Sequence, residues 1–293
     1  MSKKTVKVSI AGSVGRMGKM LVNVVDKHVE CELVAATCHP SEVDVIGKDA
    51  GLISGINKNN IFISDNPKEL LKGEVIIDFT TPESTVHNSN LAAENKIGLV
   101  IGTTGLSKEQ ENIIEKNSQL SPIIYSSNMS VGVNLLFSLI DKAVRSIDNN
   151  WDIEVLEMHH RHKVDAPSGT ALSMGKVAAA SREYQFEKIK KLSREGKVGQ
   201  RSNEEIGFAT LRGGSVVGDH TMILAHEDER IELTHKATNR KIYANGAVKQ
   251  QSGVQINKRV YLAWNKYLDY DLYSLIFLKF TSNKHFFIDR DPP

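Results

Sequence analysis

Apolar residues over the first 130 positions recur in a pattern that predicts alternating strands and helices. Short apolar runs typical of strands buried on both faces are followed by stretches with helical spacing. The predicted strands are 6–11, 33–37, 75–79, 98–101 and 123–125, and the predicted helices are 17–27, 82–96 and 108–117. This alternation predicts an α/β fold whose N-terminal part is a Rossmann-type, doubly wound parallel sheet.

The pattern changes after Val131. A predicted amphipathic helix, 133–147, carries on one side Leu135, Leu136, Leu139, Ile140 and Ala143. Strands of alternating polarity follow at 153–158, 208–212, 216–225 and 230–236, with a helix at 169–182 and an exposed loop at 193–205. Segregated strands and helices predict an α+β domain with a mostly antiparallel or mixed sheet.

Composition narrows the class of protein. The 293 residues favour two domains, and 37 Lys and Arg against 35 Asp and Glu leave a formal charge of +2. This balance provides no strongly basic face for nucleic acid. No apolar stretch approaches the ~20 residues of a membrane span. Cys31 and Cys38 give neither a disulfide framework nor a zinc spacing, so we expect a cytoplasmic protein without a metal.

A glycine-rich turn joins the first predicted strand to the first predicted helix. It reads Gly12-Ser13-Val14-Gly15-Arg16-Met17-Gly18. Glycine lets the backbone approach a pyrophosphate, whose charge the helix N-terminus favours. Val14 stands where the standard fingerprint has its second glycine. In the first βα unit of an alternating sheet, this turn predicts a dinucleotide site.

The end of the second strand bears on which nucleotide binds. An acidic residue ~20 positions after the glycine turn would bind the adenosine ribose 2′-hydroxyl, and here Cys38 and His39 follow instead. The missing carboxylate, with Arg16 and His39 near, favours NADPH, and NADH is the second possibility. Gly102, Thr103 and Thr104 follow a later strand, where we expect a nicotinamide contact.

The densest polar cluster runs from Glu157 to Thr170 and includes His159, His160 and Lys163. Its spacing does not suit a metal, and its cations would repel one. Pro167 is followed by small residues that begin a helix, where free N–H groups bind anions. Cationic side chains beside a helix N-terminus suit a carboxylate-bearing substrate, and His and Lys donate protons near neutral pH.

The motifs, taken in order, resemble those of one enzyme family. They include Ala11-Gly12, Gly15-Arg16-Met17-Gly18, Ile77-Asp78-Phe79-Thr80, Gly102-Thr103-Thr104-Gly105, Ser127-Asn128-Met129-Ser130, His159-His160-Arg161-His162-Lys163, Ser168-Gly169-Thr170 and Gly218-Asp219-His220. From about residue 5 to 249 the chain resembles the 4-hydroxy-tetrahydrodipicolinate reductase (dihydrodipicolinate reductase) family. The resemblance implies hydride transfer from NAD(P)H to 4-hydroxy-tetrahydrodipicolinate, giving tetrahydrodipicolinate in diaminopimelate and lysine biosynthesis.

The resemblance also implies roles for particular residues. Proton donation falls to His159 and Lys163, and the cyclic dicarboxylate is bound by His160, Lys163, Ser168, Gly169 and Thr170. The nucleotide is expected on Gly12, Ser13, Val14, Gly15, Arg16, Met17, Cys38, His39, Phe79, Gly102, Thr103, Thr104, Ser126, Ser127, Asn128 and Met129.

The family pattern further implies a division of the chain and an assembly. Residues 1–130, rejoined by about 240–293, would bind the dinucleotide, and 131–239 would bind substrate and form a homotetramer. Domain closure is expected about hinges near 127–131 and 237–240.

Two other functions remain open from the residues alone. A nucleotide sensor would keep the glycine turn, but it would not need His159 and Lys163 beside an anion site. An aspartate-semialdehyde dehydrogenase would need a catalytic cysteine near the polar cluster, and a homoserine dehydrogenase would share the two-domain build. Half of the 18 aromatic residues lie in 251–293, beyond the resemblance. They predict either a helix face that packs in the oligomer or on the first domain, or a terminus with little selected structure.

Overall fold

A computed structural model describes residues 5–256 and 261–263. Its larger sheet has seven parallel strands in the order β12-β6-β5-β4-β1-β2-β3. The strands are β1 (Val6–Ala11), β2 (Cys31–Thr37), β3 (Ile63–Ser64), β4 (Val75–Asp78), β5 (Gly98–Ile101), β6 (Ile123–Tyr125) and β12 (Tyr261–Ala263). The predicted parallel, doubly wound sheet is confirmed.

Helices cover both faces of this sheet. The α-helices of the described residues, over both sheets, are α1 (Arg16–Asp26), α2 (Ala50–Ile53), α3 (Pro82–Asn95), α4 (Lys108–Ser118), α5 (Val131–Ser146), α6 (Gly169–Ser181), α7 (Phe186–Ile189) and α8 (Lys241–Ile256). Val75 and Ile77 of β4 pack with α1 and α8, whereas Ile76 packs with α3 and α4. Because alternate residues face opposite helix layers, three consecutive positions of the strand are apolar, and Asp78 ends it.

The smaller sheet has five strands in the order β11-β10-β7-β9-β8. Its strands are β7 (Asp152–His159), β8 (Lys190–Lys191), β9 (Ile206–Arg212), β10 (Gly218–Ala225) and β11 (Arg230–Ala237). Pairing is antiparallel on the β10 side and parallel between β7, β9 and β8, so the predicted mixed sheet is confirmed. One face packs against α5 and α6.

The predicted apolar side of α5 is wrong for two residues. Leu135 and Leu139 are exposed, and the buried stripe comprises Val133, Leu136, Ile140 and Val144. Both sets have helical spacing, and only the position of the sheet decides which of them is covered. The short elements α2, β3, α7 and β8, and a 3-10 helix at Pro67–Lys72, were not anticipated because each is too short for periodicity to register.

The described chain passes between the sheets twice, before α5 and before α8. Helix α8 returns to the larger sheet, where Ala244, Ala247 and Val248 join the core beside Met129. Helix α8 contacts the backbone of Met129 at Gly246, where a Cβ would lie 1.7 Å from the carbonyl oxygen of Met129. Among the helices within the described ranges, none is long and apolar enough to cross a membrane.

Gly246→Ala is expected to destabilise the protein because the new methyl group meets a main-chain carbonyl that cannot rotate away. Overpacking of this kind costs about 1–3 kcal/mol and outweighs the ~1 kcal/mol gain in helix propensity. Urea unfolding checks the change. Asn245→Ala, at the exposed neighbouring position, is the control, and an equal effect of both variants would refute the close contact.

Candidate functional site

Two cavities lie beyond the carboxyl ends of the parallel strands. The interlobe cavity, about 660 Å³, lies between the sheets and is lined on one wall by Gly102 and Asn128 and on the other by His159 and Lys163. The glycine-turn cavity, about 600 Å³, is lined by Gly12, Cys38 and Thr80 among others. Phe79 lines both cavities, which therefore meet at the end of β4.

The glycine turn has the geometry that a pyrophosphate requires. Gly12 has φ +68°, and a Cβ at Gly18 would lie 2.0 Å from the carbonyl oxygen of Gly12. The N-cap residue of helix α1 is Gly15, which has no side chain to cap it, whereas Ser or Thr side chains cap α3, α4, α5 and α6. The first N–H groups of α1 thus remain available to an anion, and the turn fits a dinucleotide.

Charges around the glycine-turn cavity differ from the predicted picture. Arg16 lines the interlobe cavity, whereas Glu42 and Asp65 line the glycine-turn cavity with Cys38 and His39. Burial, followed by the charges of Asp65 and Glu42, raises the pKa of the Cys38 thiol. Negative charge near the end of β2 therefore comes from Glu42, further along the same loop, and from Asp65, which follows β3.

A buried polar network joins the ends of β4 and β5. Asp78 accepts hydrogen bonds from the Thr80 backbone N–H at 2.9 Å, the Thr80 hydroxyl at 2.6 Å and the Asn88 amide at 3.0 Å. The Thr103 hydroxyl accepts from the same Thr80 N–H at 3.0 Å and from Thr85 at 2.8 Å. Burial raises the pKa of Asp78. The network orients the strand ends that line both cavities.

The opposite wall is organised around Glu157, whose side chain is 1% exposed. One carboxylate oxygen lies 2.6 Å from Nδ1 of His159 and accepts from Arg212 at 2.8 Å. The other accepts from the Ser168 backbone N–H at 3.0 Å and from Arg212 at 2.9 Å. Burial alone would raise the pKa of Glu157, but the hydrogen bonds from Arg212, His159 and Ser168 lower it below its usual range.

The start of α6 has backbone N–H groups that are available to an anion. Ser168 satisfies the N–H groups of Ala171 through its hydroxyl and of Leu172 through its carbonyl. The N–H groups of Gly169 and Thr170, in the first turn, have no intrahelical acceptor. The Thr170 hydroxyl lies 3.2 Å from the Asn128 amide, a contact that joins the two walls of the interlobe cavity.

His160 and Lys163 also line this wall. Nε2 of His160 lies 3.3 Å from the Arg240 guanidinium, and burial followed by the Arg240 charge lowers the pKa of His160. Since arginine only donates, Nδ1 of neutral His160 carries the proton, and this atom has no partner among the described residues. The Lys163 ammonium pairs with Asp165 at 2.7 Å, which lowers the pKa of Asp165.

The structure brings most of the predicted residues to the two cavities. The glycine-turn cavity is lined by Gly12, Val14, Gly15, Cys38, His39 and Phe79. The interlobe cavity is lined by Arg16, Met17, Phe79, Gly102, Thr104, Ser127, Asn128, Met129, His159, His160, Lys163, Ser168, Gly169 and Thr170. Three others line neither cavity: Ser13 donates to the Thr37 carbonyl, Thr103 joins the Asp78 network, and Ser126 donates to the Asn128 carbonyl.

Sequence reasoning missed Glu157, Arg212, His220 and Arg240 as site residues. A signal existed for Glu157, because alternation along β7 puts it on the inward face with Ile153, Val155 and His159. Arg212 lies on another strand, and no spacing links it to Glu157. Within the described residues, no group of three or more His, Cys, Asp or Glu side chains is arranged to hold a metal.

His220 predicts a pH dependence of stability. Its Nε2 lies 2.9 Å from the Ser168 hydroxyl, and its ring is edge-on to His159 at 5.0 Å. Burial, then the nearby His159 charge, lowers the pKa of His220 to about 4. Between that value and the unfolded pKa of ~6.5, the unfolded chain binds more protons than the folded protein. The stability that neutral His220 contributes is therefore fully present above pH ~6.5 and is lost as the pH falls towards 4.

His220→Gln is therefore expected to remove up to about 3 kcal/mol of the stability difference between pH 7 and pH 4. Urea unfolding at the two pH values measures the difference for wild type and variant. His87→Gln, on the exposed side of α3, controls for the loss of a histidine. Equal pH dependence in wild type and His220→Gln would contradict the assignment.

Comparison with known proteins agrees with this geometry. Sequence profiles described as dihydrodipicolinate reductase N-terminus and C-terminus match residues 6–129 and 132–266. The match passes Lys249, where the sequence resemblance was placed to end, so that limit was wrong. A protein of Polynucleobacter necessarius named 4-hydroxy-tetrahydrodipicolinate reductase is 42% identical over 252 residues, covering 86% of this chain and 94% of the relative.

Solved structures extend the comparison. A dipicolinate-bound dihydrodipicolinate reductase from Paenisporosarcina sp. TG-14 has a TM-score of 0.73 at 26% identity, covering 89% of this chain and 99% of that one. An amine dehydrogenase from Mycobacterium smegmatis, with a TM-score of 0.62 at 11% identity, covers 89% and 95% and shares the fold. With both profiles matched and a 42% identical relative, the chain belongs to the dihydrodipicolinate reductase family.

Proposed function

We propose that the protein reduces 4-hydroxy-tetrahydrodipicolinate to tetrahydrodipicolinate with a pyridine nucleotide, as a step of diaminopimelate and lysine biosynthesis. The observation that carries the proposal is the interlobe cavity, in which the nucleotide-side strand ends face a proton-donating, anion-binding wall. A nucleotide sensor has no need of that wall. An aspartate-semialdehyde dehydrogenase would need a cysteine there, and neither Cys31 nor Cys38 lines the interlobe cavity.

A bound reduced nicotinamide supplies the hydride. The residues proposed to hold the nucleotide are the glycine turn for its pyrophosphate, Cys38 and His39 for its adenosine ribose, and Gly102, Thr104 and Ser127–Met129 for its nicotinamide. Ser13, Thr103 and Ser126 are proposed to act by shaping these segments, since their side chains bond to the protein itself.

The opposite wall is proposed to bind a dicarboxylate and to donate a proton. The free N–H groups of Gly169 and Thr170 and the unpartnered Nδ1–H of His160 donate to carboxylate oxygens. Substrate carboxylate competes with Asp165 for the Lys163 ammonium. The 4-hydroxyl group of the substrate leaves as water, and when the ring accepts a hydride, a proton from His159 or Lys163 neutralises the charge that develops.

For the nucleotide, the charges now favour NADH over the NADPH expected from sequence. Glu42 and Asp65 face the proposed adenosine end, and the lining residues of the glycine-turn cavity within the described chain include no Lys or Arg. A 2′-phosphate there would be repelled by both carboxylates. The argument for NADPH used Arg16, which lines the other cavity.

We propose a cytoplasmic homotetramer with no membrane or nucleic-acid partner. Leu156, Met158 and Leu211 lie on the face of the smaller sheet opposite α5 and α6, which supports assembly through that face. Cys31 and Cys38 are free thiols, consistent with a reducing compartment. Residues 131–239 are proposed as the substrate and assembly unit, moving about the two crossings between the sheets, and the rest as the nucleotide unit.

The activity is tested by following NAD(P)H absorbance with freshly generated 4-hydroxy-tetrahydrodipicolinate. Lys163→Ala is expected to lower kcat by about 10²-fold or more, because a general acid contributes roughly 10²–10⁴-fold. Arg161→Ala, in the same loop but outside the cavity lining, should retain activity. Absence of NAD(P)H oxidation by wild type would overturn the function, and wild-type turnover in Lys163→Ala would remove its catalytic role.

The nucleotide preference is tested by replacing the two carboxylates. The double variant Glu42→Gln/Asp65→Asn is expected to bind NADPH several-fold more tightly at low salt and to bind NADH about as before, since only NADPH carries the repelled phosphate. Fluorescence titration of each nucleotide measures the dissociation constants. Asp44→Asn, an exposed acid outside the cavity lining, is the control. Tighter NADPH than NADH binding by wild type would reverse the proposal.

A further inference from the structure

The buried carboxylate of Glu157 determines which nitrogen of His159 carries the proton. The carboxylate is ionised, because hydrogen bonds lower its pKa despite burial, and an ionised carboxylate only accepts. The 2.6 Å contact with Nδ1 of His159 therefore requires Nδ1 to be the donor. A neutral His159 then has a bare Nε2, and Nε2 carries a proton only when the ring is cationic.

The Nε2 edge of the His159 ring lies beside Gly218. A Cβ at Gly218 would lie 3.0 Å from Nε2 and 3.4 Å from the adjacent ring carbon, so a side chain at this position would crowd that edge. His159 itself lines the interlobe cavity. With Nδ1 occupied by Glu157, the ring atom left for proton transfer is Nε2.

The same carboxylate fixes the anion site. Its second oxygen accepts the Ser168 N–H, and Ser168 caps α6 immediately before the free N–H groups of Gly169 and Thr170. Arg212 donates to both oxygens and neutralises a charge that would otherwise repel a substrate carboxylate. One side chain thus links the proton donor to the substrate-binding helix end.

We propose that Glu157, held by Arg212, is a positioning residue for the reduction: it keeps His159 as the Nδ1-protonated tautomer and sets its distance from the α6 N-terminus. The inference rests on the proposed function for its kinetic consequence. Its structural consequence, the His159 tautomer, does not depend on turnover.

The first test is the tautomer in the wild-type protein. Long-range ¹H–¹⁵N correlation spectra, assigned with a His159→Gln variant, are recorded at a pH at which the ring is neutral. We expect a protonated Nδ1 and a bare Nε2. Protonation of Nε2 in wild type would overturn the inference without any variant having to fold, and whether or not the enzyme turns over.

The second test is a double-mutant cycle with Glu157→Gln and His159→Gln. Glu157→Gln is expected to lower kcat by about 10²-fold or more, by the general-acid range, and to weaken binding of the probe dipicolinate by less than tenfold. In the His159→Gln background it should cost little further, because Glu157 acts through His159. Equal losses in both backgrounds would show a merely structural role and refute the inference.

Glu154→Gln is the matched control. Glu154 lies on the same strand with its carboxylate paired to Arg194, outside the cavity lining, so kcat should remain near that of wild type. If wild type reduces the substrate and Glu157→Gln does so equally well, this inference fails while the proposed function stands. If wild type does not turn over, the proposed function fails and the tautomer measurement still decides the inference.

Discussion

Burial of a single carboxylate organises the wall of the interlobe cavity that contains His159 and Lys163. Glu157 is almost wholly removed from water, and an ionised group in that position is tolerated only if its lone pairs are occupied. Arg212, His159 and Ser168 together supply four donor contacts. Since these donors come from β9, from the end of β7 and from the start of α6, satisfying one carboxylate fixes three elements relative to one another.

A buried acid at the end of β4 organises the opposite wall of the interlobe cavity in the same way. Asp78 is buried and satisfied by Thr80, Thr103 and Asn88, which ties the ends of β4 and β5 to α3. In both halves a buried acid organises the loops that line the cavity without itself lining the interlobe cavity. The Asn128–Thr170 contact then joins the two halves at the point where hydride transfer is proposed.

Much of this arrangement could be predicted from the sequence, because the features concerned are formed by residues that are adjacent in the chain. The parallel strands were predicted from continuous apolar runs such as 75–77, which follow from helix layers on both faces. The anion site at α6 was predicted because Ser168, Gly169 and Thr170 are adjacent, and a helix N-terminus needs no distant residue. The exposed Leu135 and Leu139 show the limit, since helical spacing defines a stripe but not what covers it.

The sequence by itself therefore determined the class of fold, the glycine turn and the family. The tertiary structure decided which charges meet. Arg212 lies 55 residues from Glu157 in the chain, and Asp65, which follows β3, acts on Cys38 together with Glu42. Apolar periodicity is a property of neighbours in sequence, whereas the pairing of a buried charge or the field at a ribose depends on strand order and distance in space. Strand order and these distances are fixed only when the sheets assemble.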